Sequence, residues 1–141
     1  MARDARFITG VLHAIIDLEP IGDYAYEIVV LSSSMKRRPP SQISSQMSEV
    51  GGKIRTGLTT AVESWRNGDR DLALSVRPQE AAIRAECGMV YEKLSQLVSA
   101  PGEGALYVDL MLICRHLERI LRHAVCVADQ AADAVPLGRD D

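Results

Sequence analysis

Between about Ala105 and Ala132 the chain carries Leu106, Val108, Leu110, Leu112, Ile113, Leu117, Ile120, Leu121, Ala124 and Val127 at helical spacing. An apolar surface that wide cannot be covered by a single neighbour, so the segment predicts a helix buried on more than one side. A chain with such an element must supply other helices to surround it, which sets the fold class as all-α.

Three further segments supply them. From about Arg3 to Ser34, Ile8, Val11, Ile15, Leu18, Ala25, Ile28 and Val29 recur at helical spacing until Ser32-Ser33-Ser34 and Pro39-Pro40 end the element. Pro20 falls in its middle, removes one backbone hydrogen bond and predicts a kink. A second helix is expected from about Ser41 to Arg66, on Ile43, Met47, Val50, Ile54, Leu58, Ala61 and Trp65; Gly51, Gly52 and Gly57 weaken it and read as glycines that allow close helix approach. Asn67-Gly68-Asp69 signals a turn, after which Asp69 or Asp71 can cap a third helix carrying Leu72, Val76, Ile83, Val90, Leu94 and Leu97, kinked or interrupted at Pro78. Pro101-Gly102-Glu103-Gly104 separates it from the wide apolar helix, and Pro136 to Asp141 reads as a frayed tail. Short connections between long helices make consecutive helices antiparallel neighbours, giving an up-and-down bundle of four long helices.

The 141 residues fit one domain, and their net charge of -3 is spread along the whole chain, which leaves no electrostatic footprint for nucleic acid. The short basic cluster Lys36-Arg37-Arg38 reads as a solvated turn. Cys87, Cys114 and Cys126 are odd in number, lack CxxC spacing and lie within apolar helical patterns, so free thiols in a reducing compartment are expected. No signal peptide or membrane-length apolar run is evident, and the expected location is the cytoplasm. There is no GxSxG, P-loop, GxGxxG, or Cys and His with an orienting acid, so the chain is not read as an enzyme.

Two stretches read as degraded copies of one another: Asp17-Leu-Glu-Pro-Ile-Gly-Asp-Tyr-Ala25 and His116-Leu-Glu-Arg-Ile-Leu-Arg-His-Ala124. Glu19 aligns with Glu118 and Ile21 with Ile120, whereas Asp23 is answered by Arg122. Leu18 to Ala25 resembles the LERIGDxA signature of the PhoU family of phosphate-uptake regulators, and Arg115 to Ile120 resembles its second occurrence. Asp71 to Val76 followed by Glu80 to Ile83 resembles that family's DxxLAxxV run and acidic segment. The resemblance implies two similar three-helix repeats, of which residues 1–34 correspond to the last helix of the first and residues 41–133 to the second. The chain then reads as a truncated member whose first helix lacks two customary neighbours, so that its apolar flank must be covered by the second repeat or by another copy of the chain; a homodimer is expected.

The resemblance also implies metal binding through E/DxxxD motifs, with iron or a divalent ion as the cofactor. Carboxylates one helical turn apart share a face and suit hard cations, which makes Glu19 and Asp23 the candidate metal ligands. Glu118 has lost its partner acid to Arg122, and Glu80 is followed four residues later by Arg84. A guanidinium removes a lone pair and adds a positive charge, so Glu118–Arg122 and Glu80–Arg84 are expected to form i,i+4 ion pairs instead, worth about a few tenths of a kcal/mol each. Asp17 and Glu27 are assigned to the exposed side, and His13, His116 and His123 to polar helix edges. The implied function is regulation by protein binding to the phosphate ABC transporter and the sensor histidine kinase of the phosphate regulon, as a negative regulator when phosphate is plentiful. A metal-binding bundle and a degenerate dimerisation module without regulatory activity are the alternatives.

Overall fold

The computed structural model describes residues 2–135, and every regular element among them is helical. Helix α1 spans Ala2–Ser34, α2 Ser41–Asn67, α3 Arg70–Leu74, α4 Glu80–Leu97 and α5 Gly104–Ala134. The predicted all-α bundle of four long helices is therefore present, with α3 as an additional short turn. The tail from Pro136 to Asp141 lies outside the described residues.

Each boundary has a local cause. Gly68, at φ 61°, takes the left-handed conformation that closes α2, and Asp69 rather than Asp71 caps α3 by accepting from the Leu72 N–H at 2.9 Å. Pro78 interrupts the third segment: a 3-10 turn at Arg77–Gln79 separates α3 from α4. Pro20, by contrast, leaves α1 a single element of 33 residues. The carbonyl that loses its partner belongs to Ile16, which is 64% exposed, so water can satisfy it at that surface.

Helix α5 runs through the centre, packing on α1, α2, α3 and α4. Its residues Ile120, Leu121, Val125, Val127 and Ala128 meet Val50, Ile54 and Ala61 of α2, Ile83 and Cys87 of α4, and Ala14 and Ile21 of α1 in one core. Towards the other end, Tyr107, Leu110 and Cys114 join Ile43, Val90 and Leu94. Polar contacts fix the register: Lys53 of α2 meets Glu86 of α4 at 2.7 Å, the Trp65 Nε1–H donates to the Val127 carbonyl at 3.0 Å, and the Arg70 Nε–H donates to the Ala132 carbonyl at 3.0 Å.

Helices α2, α4 and α5 form a closed three-helix unit, whereas α1 lies antiparallel along α5 and has no other extensive partner among the described residues. The row Gly10, Ala14, Asp17, Ile21, Tyr24, Ile28 and Leu31, spaced by four and three, faces α5 and is buried or half-buried. At Gly10 a Cβ would stand 2.8 Å from the Ala134 Cβ and 3.1 Å from the Trp65 ring, so glycine sets how closely α1 approaches. The glycines of α2 have no such role. A Cβ at Gly52 would meet nothing within 4 Å, and at Gly51 and Gly57 it would make ordinary contacts with Leu117 at 3.9 Å and Val76 at 4.0 Å. The expectation that α2 uses its glycines for close packing is corrected accordingly.

Candidate functional site

The outward side of α1 carries a row Leu12, Ile16, Glu19, Asp23, Tyr26 and Val30, all exposed, again at steps of four and three. Ile8, Ile15 and Val29 flank it and are exposed as well. A helix that packs mainly on one neighbour and shows a second apolar face exposes a surface suited to a partner, because isolated exposed apolar residues are ordinary but a continuous stripe is not. Glu19 and Asp23 sit at the middle of this stripe, both exposed. They bring two carboxylates to one patch, and among the described residues no group of three or more His, Cys, Asp or Glu side chains is arranged to hold a metal ion. A hard cation takes about six to eight oxygen ligands, so two carboxylates supply only part of such a shell.

On the opposite side of α1 lies a polar seam that sequence reasoning missed. Asp17, assigned to the exposed side, is half-buried, and its Oδ1 lies 2.9 Å from His123 Nδ1. The Tyr24 ring stacks on His116 and His123, with ring centroids 5.5 and 6.0 Å apart, so these histidines belong to the α1–α5 interface. Asp17 and Tyr24 share the four-three row of Ala14 and Ile21, which was the available signal; the acid's polarity obscured it.

A third arrangement lies where α5 faces α4. Arg84 of α4 pairs with Glu80 as expected, but Glu118 does not pair with Arg122. Its Oε2 instead accepts from Arg115 Nη1 at 2.7 Å, while the Arg115 guanidinium carbon sits over the Tyr91 ring at 4.3 Å. The i,i+3 acid–base pair wins over the expected i,i+4 pair because Tyr91 holds Arg115 beside the carboxylate. Arg122 is left with no carboxylate partner among the described residues. Arg119 likewise makes no ion pair there and sits over the Tyr24 ring at 5.4 Å. Arg84, Arg115, Glu118, Arg119 and Arg122 line an open groove of about 460 Å³.

The thiols are free, with Cys87 and Cys114 buried and Cys126 half-buried. Burial pushes the Cys87 thiol up to about 11 and the Cys114 thiol to about 12. Neither is a ready nucleophile. Among the described residues no helix is long and apolar enough to cross a membrane.

A family profile described as "PhoU domain" matches residues 47–131. A "Phosphate-specific transport system accessory protein PhoU homolog" of Xylella fastidiosa (strain Temecula1 / ATCC 700964) is 28% identical over 130 residues, covering 92% of this chain and 54% of the relative. The protein of the same description from Synechocystis sp. is 22% identical over 132 residues, covering 94% and 59%. That of Pseudomonas aeruginosa is 25% identical over 130 residues, covering 91% and 54%. The chain thus spans about half the length of the curated relatives it matches. No solved structure matches the chain.

Proposed function

Because the chain belongs to the PhoU family, we propose that it is a non-catalytic accessory regulator of phosphate uptake, acting in the cytoplasm by binding the phosphate ABC transporter and the sensor histidine kinase and holding the regulon down when phosphate is plentiful. The observation that carries this reading is the outward stripe of α1. A rigid helix offering Leu12, Ile16, Tyr26 and Val30 in one row is suited to helix-in-groove recognition, in which side chains at successive turns act as anchors. The test is deletion of the gene followed by measurement of phosphate uptake and regulon expression. De-repression at high phosphate is expected, and unchanged uptake and expression would remove the reading.

A second reading competes for the same face. The row is symmetric in character about Ile21, apolar at Leu12 and Ile16, acidic at Glu19 and Asp23, apolar again at Tyr26 and Val30. Two copies of α1 placed antiparallel would match apolar ends with apolar ends through a self-complementary two-fold contact, and would gather four carboxylates at the centre. Such a cluster repels itself unless a cation neutralises it, which would make Glu19 and Asp23 ligands for an iron or divalent ion shared between copies. Sedimentation with and without chelator, together with metal analysis of the parent and of Glu19→Ala and Asp23→Ala, separates the readings. A chelator-sensitive dimer favours the second, and a metal-free monomer leaves the face to a different protein.

A further inference from the structure

The arginine groove between α4 and α5 carries an inference independent of the regulatory role. On a chain whose net charge is -3, four guanidinium groups line one groove with a single carboxylate, Glu118, among them. Glu118 is engaged by Arg115, and Arg84 is engaged by Glu80 from outside the lining. Arg119 and Arg122 have no carboxylate partner among the described residues. Like charges held together raise the energy of the chain, and a groove of this kind is relieved by an anion from solution.

The arrangement is preorganised as well as charged. Arg115 is fixed by Glu118 on one side and the Tyr91 ring on the other, and Arg119 is supported by the Tyr24 ring. Guanidinium groups cannot be deprotonated, present five donors in a planar fork and bind phosphoryl oxygens in pairs. Arg115, Arg119 and Arg122 follow one another along α5, and at about 1.5 Å of rise per residue the first and last are separated by about 10 Å. That span exceeds one phosphate and fits a row of them. We propose that the groove lined by Arg84, Arg115, Arg119 and Arg122 binds a linear phosphoryl polyanion, the chemistry shared by free polyphosphate and a nucleotide's triphosphate.

The test is calorimetric titration of the full chain at low ionic strength with tripolyphosphate, ATP and orthophosphate, each without added metal. Tripolyphosphate is expected to bind saturably below about 1 mM, with orthophosphate weaker by about tenfold or more because it reaches only one end of the groove. ATP binding as tightly as tripolyphosphate identifies the nucleotide as a source, whereas weaker ATP binding identifies the free chain; either supports the site. Arg119→Ala with Arg122→Ala, both at exposed positions and checked for helicity by circular dichroism, is expected to lower tripolyphosphate affinity about tenfold or more. Arg55→Ala, on the exposed side of α2, should leave it unchanged. Failure of tripolyphosphate to saturate, orthophosphate binding equally well, or equal losses from Arg55→Ala and the double variant would each overturn the proposal.

Discussion

Asp17 and His123 form a half-buried pair in which each polar group depends on the other. Replacing Asp17 by Ala leaves the His123 Nδ1 position without its partner in a region partly closed to water, and a loss of about 1–2 kcal/mol in unfolding free energy is expected. Denaturant unfolding followed by the fluorescence of Trp65, the one tryptophan of the chain, reads this directly. The cysteines give a residue-scale pH dependence. Because burial raises the Cys87 thiol to about 11 and the Cys114 thiol to about 12 from an ordinary 9.0, the folded chain keeps protons that the unfolded chain releases above about pH 9. Their contribution is fully present below pH 9 and is lost as the pH climbs towards 12, so unfolding midpoints should fall across that window. At pH 8 an alkylating reagent should modify half-buried Cys126 well before the other two, and equal rates at all three thiols would contradict the burial described. Sequence made the thiols and the Glu80–Arg84 pair legible because they depend on one element each. It misassigned Asp17 and the partner of Glu118, since those follow from which helix lies opposite and where Tyr91 stands.

For whole elements, the two kinds of glycine make opposite predictions. Gly52 is interior to α2 with open space where a Cβ would be, so Gly52→Ala should raise stability by about 0.5–1 kcal/mol through helix propensity alone. Gly10→Ala should lower it, because the new Cβ must displace Ala134 or the Trp65 ring and lift the start of α1 from α5; about 1–3 kcal/mol is the scale of such overpacking. Thermal unfolding of the two variants beside the parent decides the point, and the reverse ordering would contradict the helix spacing seen at Gly10. The helices themselves were legible to within a few residues, since apolar periodicity and the Gly68, Pro78 and Pro101 breakers act locally. Close approach was not: Gly10 looks like any other glycine in a helix until the crossing of α1 and α5 is known, whereas the Gly51-Gly52 pair draws attention by composition alone.

Over the molecule as a whole, α1 is the feature that decides behaviour in solution. Its two faces carry similar residues in opposite circumstances: Ile21 is 7% exposed against α5, and Ile16 is 64% exposed on the outward row. Ile21→Glu puts an unpaired charge into the core and should unfold the bundle or cost several kcal/mol. Ile16→Glu alters a side chain that is 64% exposed, so stability should change by less than about 0.5 kcal/mol, while any assembly that uses the outward face is disrupted. Sedimentation and unfolding measured together on both variants therefore isolate the face: a parent that self-associates or captures the transporter complex, and an Ile16→Glu chain that is equally stable but does neither, assigns the contact to this row. If Ile16→Glu lost stability as a monomer, the outward row itself would have a partner within the chain, contrary to its exposure. The wide apolar pattern of α5 announced a central helix from sequence alone. The outward row of α1 was not legible: the sequence pattern ran through Ile8, Val11, Ile15, Leu18, Ala25, Ile28 and Val29, and only the packing shows that α5 is the main neighbour of α1 and that Leu12, Ile16, Glu19, Asp23, Tyr26 and Val30 face away from it.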